Sequence, residues 1–136
     1  MDYKGWEQQV PAEVKEDALW QMKAYRLALF LYDLAWRDCE KLMQDLRGGE
    51  VAKQLIRSAG SIAANIEEGF GRGFGREYAY FLRVSVGSAR ETRGWYYRSR
   101  RLLPSAVVEH RIALLSQITA LLITAVNQQK QRSRHR

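Results

Sequence analysis

Apolar residues recur at helical intervals along most of the chain, in long segments separated by glycine or proline. Residues 18–46 contain neither glycine nor proline, and leucine, methionine and tryptophan return there every three or four positions, which predicts the first long helix. The pair Gly48-Gly49 is predicted to close it. The middle of this segment is apolar almost all the way round, which is wider than the single stripe that a surface helix needs.

Three further helices are predicted after this one. The second covers residues 50–69 and ends where four glycines alternate with other residues, since each glycine disfavours a helix by about 1 kcal/mol relative to alanine. The third covers residues 76–103, and the fourth begins at Pro104-Ser105 and runs to residue 128. Four long helices with short connections predict an all-α protein, an antiparallel up-down-up-down four-helix bundle.

The chain has 136 residues, of which 46% are hydrophobic, and this is enough for one domain with its own core. Residues 1–17 are polar and mixed in charge, and we expect a lead-in segment that is partly disordered and that Trp6 anchors. Residues 18–128 form the bundle. Residues 129–136 contain no apolar side chain and are expected to be a basic, disordered tail.

The composition indicates the compartment. There is one cysteine, Cys39, so no disulfide can form within the chain. Residues 1–10 lack the apolar core of a secretory signal. The most apolar run, residues 113–126, is interrupted by serine, glutamine and threonine and is shorter than the ~20 residues that span a bilayer. We therefore expect a soluble, cytoplasmic protein with no membrane partner.

The net charge of +7 is divided unevenly along the chain. Residues 1–47 carry 7 basic and 9 acidic side chains, whereas residues 48–136 carry 15 basic and 6 acidic ones. In this second part arginine outnumbers lysine 13 to 2, and the arginine fork suits phosphate groups better than a point charge does. The charge pattern favours a polyanionic partner.

The arginines of the third helix are predicted to share one face. Helical spacing gathers five of them within an arc of about 80°, opposite the predicted core face, while two more flank the stripe and Tyr97 lies at its edge, where its ring can stack on a base. The predicted core face consists of Phe81, Val84, Ser85, Ser88, Thr92, Trp95, Ser99 and Leu102. The predicted nucleic-acid-binding residues are Arg76, Arg83, Arg90, Arg98 and Arg101, with Arg93, Tyr97 and Arg100 beside them.

Two other interpretations of this stripe stay open. The arginines form a plain solvated surface, or they pair with acidic residues of a neighbouring subunit. The stripe has no glutamate partners at helical i+4 spacing, and this favours contact with RNA or DNA.

No group of residues predicts catalysis or a bound metal or cofactor. His110 and His135 are far apart in sequence, and Cys39 has no histidine nearby. Glu67, Glu68 and Glu91 are better explained as hydrogen-bond acceptors than as paired catalytic carboxylates. The alternating glycines lack the Lys-Ser/Thr ending of a phosphate-binding loop. We therefore predict a protein that is not an enzyme.

The first and fourth helices both have apolar faces wider than a monomeric bundle needs. A deeply buried helix in a monomer is one explanation. In a four-helix domain, however, every helix has an outer side, so we favour burial of these faces against further copies of the chain.

The second and third helices carry a resemblance to a known family. The residues in question are Gln54-Leu55, Arg57, Ala59, Ser61-Ile62, Ala64-Asn65-Ile66, Glu68-Gly69 and Arg72, then Glu77-Tyr78, Phe81-Leu82, Gly87-Ser88 and Glu91. This pattern resembles the small four-helix-bundle proteins encoded within intervening sequences of bacterial large-subunit (23S) rRNA, a family similar to the accessory variability determinant of diversity-generating retroelements. The match covers residues 18–126 and is strongest over residues 54–91.

The resemblance implies a homopentameric ring of bundles with a basic surface and no known enzymatic activity. It also implies, from the retroelement members, binding of nucleic acid and of a reverse transcriptase. The family's signature positions, taken as mainly structural links between the second and third helices, are Ser61, Asn65, Glu68, Gly69, Arg72, Gly87, Ser88 and Glu91. The chain departs from the pattern at Ala63, where the family often has proline, at Thr92, and in the arginine- and tyrosine-rich residues 93–101.

Two hypotheses about function follow. The first is a non-enzymatic, oligomeric accessory protein that binds RNA or DNA phosphates through the arginine stripe, assisted by Arg132, Arg134 and Arg136, and that supports a retroelement reverse transcriptase. The second is a protein-interaction scaffold that docks a reverse transcriptase or another partner without touching nucleic acid.

Overall fold

The structure, a computed structural model, describes the backbone of residues 1–73 and 75–134 and the side chains of residues 1–73 and 75–132. The regular secondary structure of the described residues is entirely helical. Two short helices and a 3₁₀ turn, Ala18–Gln21, precede four long helices. The α-helices are α1 Tyr3–Gln8, α2 Ala12–Lys15, α3 Lys23–Leu42, α4 Leu46–Phe70, α5 Arg76–Arg98 and α6 Ser105–Arg134.

The four long helices form the predicted four-helix bundle. Helices α3 and α4, α4 and α5, and α5 and α6 are neighbours, and α6 closes the bundle against α3. Leucine and isoleucine side chains from all four helices fill the centre and exclude solvent almost completely. The central side chains are Leu31, Leu34, Leu55, Ile62, Ile66, Leu82, Leu115, Ile118 and Leu122.

The first long helix is shorter than predicted at both ends. Its N-terminal part, residues 18–21, is a separate 3₁₀ turn in which the Asp17 carboxylate accepts a hydrogen bond from the Leu19 amide at 2.8 Å. At the other end α3 stops at Leu42, because Asp45 caps α4 by accepting from the Arg47 and Gly48 amides, both at 2.9 Å. The prediction that Gly48-Gly49 closes the first helix is therefore wrong, since both glycines lie in the first turn of α4.

The N-terminal segment is ordered into α1 and α2 and is held by Trp6, as the sequence predicted for this anchor. The Trp6 side chain is 5% exposed, its ring lies 5.4 Å from that of Phe30, and its Nε1 donates to the Asp33 carboxylate at 2.7 Å. Trp20 stacks on the outer side of Trp6 at 6.2 Å. The expectation of partial disorder in residues 1–17 is not met, because this aromatic cluster covers α3.

Helix α6 continues past residue 128 to Arg134, so the expected disordered tail is helical over residues 129–134. Residues 135–136 lie outside the described residues. Gln129 explains the continuation: it is 8% exposed, and its side-chain oxygen accepts a hydrogen bond from the Gly75 amide at 2.8 Å. The apparently polar tail is thus partly a packing element for the turn between α4 and α5.

By length and composition alone, one described helix is apolar enough to cross a membrane, namely α6 over residues 105–132. Core helices of soluble proteins share this property. In the bundle, Leu115, Ile118 and Leu122 on this helix are fully buried against protein.

Candidate nucleic-acid interface

Polar side chains join α4 to α5 along their shared surface. The Ser61 and Ser88 hydroxyl oxygens lie 2.8 Å apart. The Ser85 hydroxyl donates to the Ile62 carbonyl at 2.7 Å, and it is completely buried. Serine and alanine at these positions let the two helix backbones approach closely, while the hydrogen bonds satisfy the buried hydroxyls.

The family's signature positions occupy both ends of this interface. Glu91 accepts hydrogen bonds from the Arg57 guanidinium and from the Trp95 ring nitrogen, the latter at 2.9 Å. Asn65 donates to the Ser61 carbonyl at 2.8 Å. Near the turn, Arg72 bonds Glu68 at 2.7 Å and Glu77 at 3.1 Å.

Two signature glycines have different surroundings. Gly69 is buried, and a Cβ added there would lie 2.7 Å from the Phe81 Cβ and 2.9 Å from Tyr78, so only glycine fits. Gly87 is exposed on the outer side of α5, and a Cβ added there would meet nothing within 4 Å. The fold of one chain therefore explains Gly69 and does not explain Gly87.

The face of α5 that packs in the core is rotated from the predicted one. Of the predicted set, Ser85, Thr92 and Ser99 are buried, whereas Val84 is exposed and Phe81, Ser88, Trp95 and Leu102 are partly buried. The fully packed positions are Tyr78, Ala79, Leu82, Ser85, Val86, Ala89, Thr92 and Tyr96. Helix α5 contacts α4 and α6 about equally, so its core face lies between them, and the prediction captured only the side toward α4.

The arginines of α5 lie on the side away from the core. Arg76, Arg83 and Arg90 are exposed and follow one another at seven-residue intervals, which places them about 10.5 Å apart along the helix axis. We call these three residues the arginine row. Arg98 continues the exposed side at the last residue of the helix.

The arginine row has no internal partner. Within residues 1–73 and 75–132, no side-chain hydrogen bond, ion pair or ring contact involves Arg76, Arg83 or Arg90. The two acids of α5 have other partners: Glu77 bonds Arg72, and Glu91 bonds Arg57. The charge of the row is therefore directed to solvent.

The remaining predicted arginines have aromatic or polar neighbours. Arg98 lies 4.7 Å from the Trp95 ring centroid, and Arg93 donates to the Ser116 hydroxyl at 3.1 Å. Arg100 lies 4.2 Å from the Tyr97 ring centroid. The two cation–π contacts hold the guanidinium groups of Arg98 and Arg100 in place and leave both charges uncompensated.

Arg100 and Arg101 do not continue the helical stripe. Helix α5 ends at Arg98, and residues 99–103 form a turn. Arg101 instead lies with Arg47 and Arg98 around a cleft of about 210 Å³ between the start of α4 and the end of α5. The five-arginine stripe of the prediction is thus a helical row followed by a basic cluster at one end of the bundle.

An exposed tyrosine that the sequence interpretation missed lies within the row. The Tyr80 side chain is 54% exposed and is one turn from both Arg76 and Arg83. Tyr97, which was predicted, is 55% exposed. Helical counting from Arg76 was sufficient to find Tyr80, because residues four apart share a face.

A buried charge network joins α3, α5 and α6 and also went unpredicted. Asp38 accepts from Arg111 Nε at 2.8 Å, Arg111 Nη2 at 3.2 Å and the Tyr96 hydroxyl at 2.6 Å. Burial raises the pKa of Tyr96, and the negative charge of Asp38 raises it further. Burial and the neighbouring Arg111 charge lower the pKa of His110. The network links the first and last long helices of the bundle, with α5 as its third member.

The outer side of α3 and α4 exposes apolar surface. Trp36 is 60% exposed, Met43 61% and Leu46 93%. Trp36 and Met43 border a groove of about 550 Å³ whose floor includes Cys39, Ala52 and Ile56. On a different side of the bundle, α6 carries no charged residue from position 112 to 129. The groove is thus apolar, whereas the exposed side of α6 is uncharged and carries polar residues such as Gln117, Thr124 and Asn127 beside Ile123.

Among the residues that the structure describes, no cluster of three or more histidine, cysteine or carboxylate side chains has the arrangement of a metal site. Cys39 is buried, and burial raises the pKa of its thiol to about 11.

These observations define a class of protein: a small four-helix bundle with a polar joint between its central helices and an exposed basic face. The chain belongs to the 23S rRNA-intervening sequence protein family, whose model matches residues 16–124. This confirms the family identified from the signature residues. The further similarity to the accessory variability determinant stays a prediction.

A solved structure shows the same fold. The chain is similar to a protein of unknown function from the S23 ribosomal protein family of Bacteroides thetaiotaomicron VPI-5482, with a TM-score of 0.70 and 22% sequence identity over 76% of this chain and 97% of that one. No curated protein matches the chain. Neither the family description nor that of the solved relative names a catalytic activity.

Proposed function

We propose that this protein is a non-enzymatic, oligomeric accessory protein that binds RNA or DNA phosphates through α5. The observation that carries the proposal is the arginine row: three exposed guanidinium groups without a partner in the described chain, about 10.5 Å apart on one rigid helix. Arginine forks bind phosphate oxygens in pairs of hydrogen bonds. The basic cluster of Arg47, Arg98 and Arg101, with Arg100 exposed nearby, extends the surface beyond the helix end.

The local charge balance supports nucleic acid over a plain solvated face. Arg57 bonds Glu91, and Arg72 bonds both Glu68 and Glu77, so none of these acids is paired with the arginine row. The row retains its full positive charge, and a polyanion gains most from such a surface by releasing its counterions. Contacts to phosphates carry little sequence information, so binding should be nearly sequence-independent.

The test is a binding series with RNA and duplex DNA at about 50 to 200 mM salt. The variant Arg83→Glu/Arg90→Glu should bind at least tenfold more weakly than the wild type and show a smaller salt slope. The control Lys23→Glu/Lys41→Glu makes the same charge change at two exposed positions of α3, outside the groove beside Trp36, and should bind with nearly wild-type affinity. Equal losses in both variants, or no binding by the folded wild type at low salt, would contradict the proposal.

The oligomeric part of the proposal, a homopentameric ring, is supported by the apolar groove beside Trp36 and by the uncharged outer side of α6. These two surfaces lie on different faces, and contact between two different faces of identical chains forms a ring when the rotation between neighbours closes. Light scattering of the purified protein measures the subunit number. Trp36→Lys/Met43→Lys should yield smaller species, and a monomeric wild type would overturn this part.

A second candidate function is docking of a protein partner such as a reverse transcriptase. The exposed Trp36 and Met43 support it, because large apolar side chains in a groove are typical anchors of protein interfaces. Pull-down of a reverse transcriptase that Trp36→Lys abolishes and Arg83→Glu/Arg90→Glu leaves unchanged would favour this function over nucleic-acid binding.

A further inference from the structure

We infer that the outer face of α5 binds a single strand of nucleic acid in preference to a duplex, with Tyr80 and Tyr97 as stacking surfaces for unpaired bases. The inference rests on the proposed function and adds the class of nucleic acid. It starts from two tyrosines that are more than half exposed on the same face as the arginine row.

Both tyrosines lie among arginines. Tyr80 is four residues after Arg76 and three before Arg83, so it lies between them on the helix surface. Its ring is held by Phe81, which lies perpendicular to it with centroids 5.2 Å apart. A base stacked on Tyr80 would therefore have guanidinium groups on either side to meet its phosphates.

Tyr97 has a comparable setting at the other end of the helix. The Arg100 guanidinium lies 4.2 Å from its ring centroid, and the side chain still exposes 55% of its surface. Arginine and aromatic rings both stack on bases, so this pair offers two stacking groups at one point. Tyr80 and Tyr97 are about 25 Å apart along the axis, a span that several nucleotides of an extended strand would cover.

Two glycines, Gly87 and Gly94, leave the helix surface between the two tyrosines without a side chain at these positions. A Cβ at Gly87 would meet nothing within 4 Å, and one at Gly94 would meet only the movable end of Arg98. Gly87 also has an ordinary helical conformation, because the positive-φ glycines of the described chain are Gly73 and Gly75. A strand passing from Arg83 to Arg90 can approach the α5 backbone closely here.

The exposed aromatic rings favour binding of a single strand over binding of a duplex. In a duplex the bases are stacked on each other and only phosphates and groove edges are exposed, so the arginine row would bind but the tyrosines would contribute little. Unpaired bases place their faces on aromatic side chains without regard to sequence. The arrangement of arginine, tyrosine and arginine thus suits an unpaired strand, whether RNA or DNA.

The experiment measures anisotropy with labelled oligo(U), oligo(dT) and a mixed-sequence duplex, each of about 20 nucleotides per strand. The proteins are the wild type, Tyr80→Ala/Tyr97→Ala and Tyr80→Phe/Tyr97→Phe. We expect tighter binding of the single strands, a loss of about tenfold or more for them in the alanine variant, and less than about twofold change for the duplex. The phenylalanine variant keeps both rings and should bind single strands like the wild type.

The outcomes separate this inference from the proposed function. Equal affinity of the alanine variant and wild type for single strands, or equal loss for strands and duplex, overturns the stacking inference while salt-dependent binding would still support the function. Absence of binding to all three probes overturns both. Tyrosine-dependent binding of either oligo(U) or oligo(dT) supports the inference, and the tighter of the two identifies the natural source of the strand. Unchanged thermal unfolding shows that the variants are folded.

Discussion

The Asp38 carboxylate and the Arg111 guanidinium form an ion pair at 2.8 Å between side chains that are only 10% and 13% exposed. Asp38 lies on α3 and Arg111 on α6, so the pair joins the first and last long helices of the bundle. Tyr96 adds a third hydrogen bond from α5. The pKa of Arg111 is raised, because the hydrogen bonds and charge of Asp38 outweigh the lowering effect of burial.

Removing Asp38 should therefore destabilise the fold strongly. In Asp38→Ala, Arg111 keeps a buried charge without its partner, and we expect a loss of about 3–5 kcal/mol in the free energy of unfolding. Urea unfolding measures this. Glu40→Ala, which removes an exposed acid from the same helix, is the control and should change stability by less than about 0.5 kcal/mol. Similar losses in the two variants would show that Asp38 acts only through net charge.

Two signature glycines should respond in opposite directions to alanine. Gly69→Ala places a methyl group against Phe81 and Tyr78 and should cost about 1–3 kcal/mol through overpacking. Gly87→Ala places it in open space on a helix and should stabilise by up to about 1 kcal/mol. Thermal unfolding of the two variants side by side tests the pair. A destabilising Gly87→Ala would mean that this exposed position is packed within the folded protein or its assembly.

Gln129 should stabilise the turn between α4 and α5. In Gln129→Ala the buried Gly75 amide loses its acceptor, and we expect a loss of about 1–3 kcal/mol. Amide hydrogen exchange at Gly75 reports the effect locally. Unchanged protection of this amide in Gln129→Ala would show that another group replaces the glutamine.

The fold should lose stability at alkaline pH. Burial raises the pKa of Cys39 from its ordinary 9.0 to about 11, so the unfolded chain releases this proton first and stability falls between those two pH values. The slope from one such group is at most about 1.4 kcal/mol per pH unit. Burial also raises the pKa of Tyr25 and Tyr96, which adds a further loss at higher pH.

Urea midpoints at pH 7, 9 and 10 measure this loss. In Cys39→Ala the part of the decline that begins near pH 9 should disappear, while the part due to the tyrosines remains. Parallel pH profiles for wild type and Cys39→Ala would contradict the assignment to the thiol.

The sequence predicted the bundle and its four long helices because the apolar periodicity and the positions of glycine and proline indicate the same helical segments. It misplaced the end of the first helix because Gly48-Gly49 was given more weight than Asp45, whose carboxylate caps α4. It also ended the fourth helix too early. Gln129 looked like solvent-exposed tail, and its burial depends on Gly75, a residue 54 positions away that periodicity does not report.

The candidate site was predicted in part. Counting around the helix placed Arg76, Arg83 and Arg90 on one face, since that calculation needs only the helical period. It put Arg101 on the same face because it assumed that the helix continued beyond Arg98. The pairing of Asp38 with Arg111 depends on how α3 and α6 meet, which the pattern within a single helix does not contain.

The hydroxyl contacts between α4 and α5 also fix how far one helix is shifted along the other. A slide of one turn, about 5.4 Å, would separate Ser61 from Ser88 and Ser85 from the Ile62 carbonyl together. Apolar contacts alone resist such a slide less, because they have no direction. These contacts therefore hold the arginine row of α5 in a constant position relative to α4.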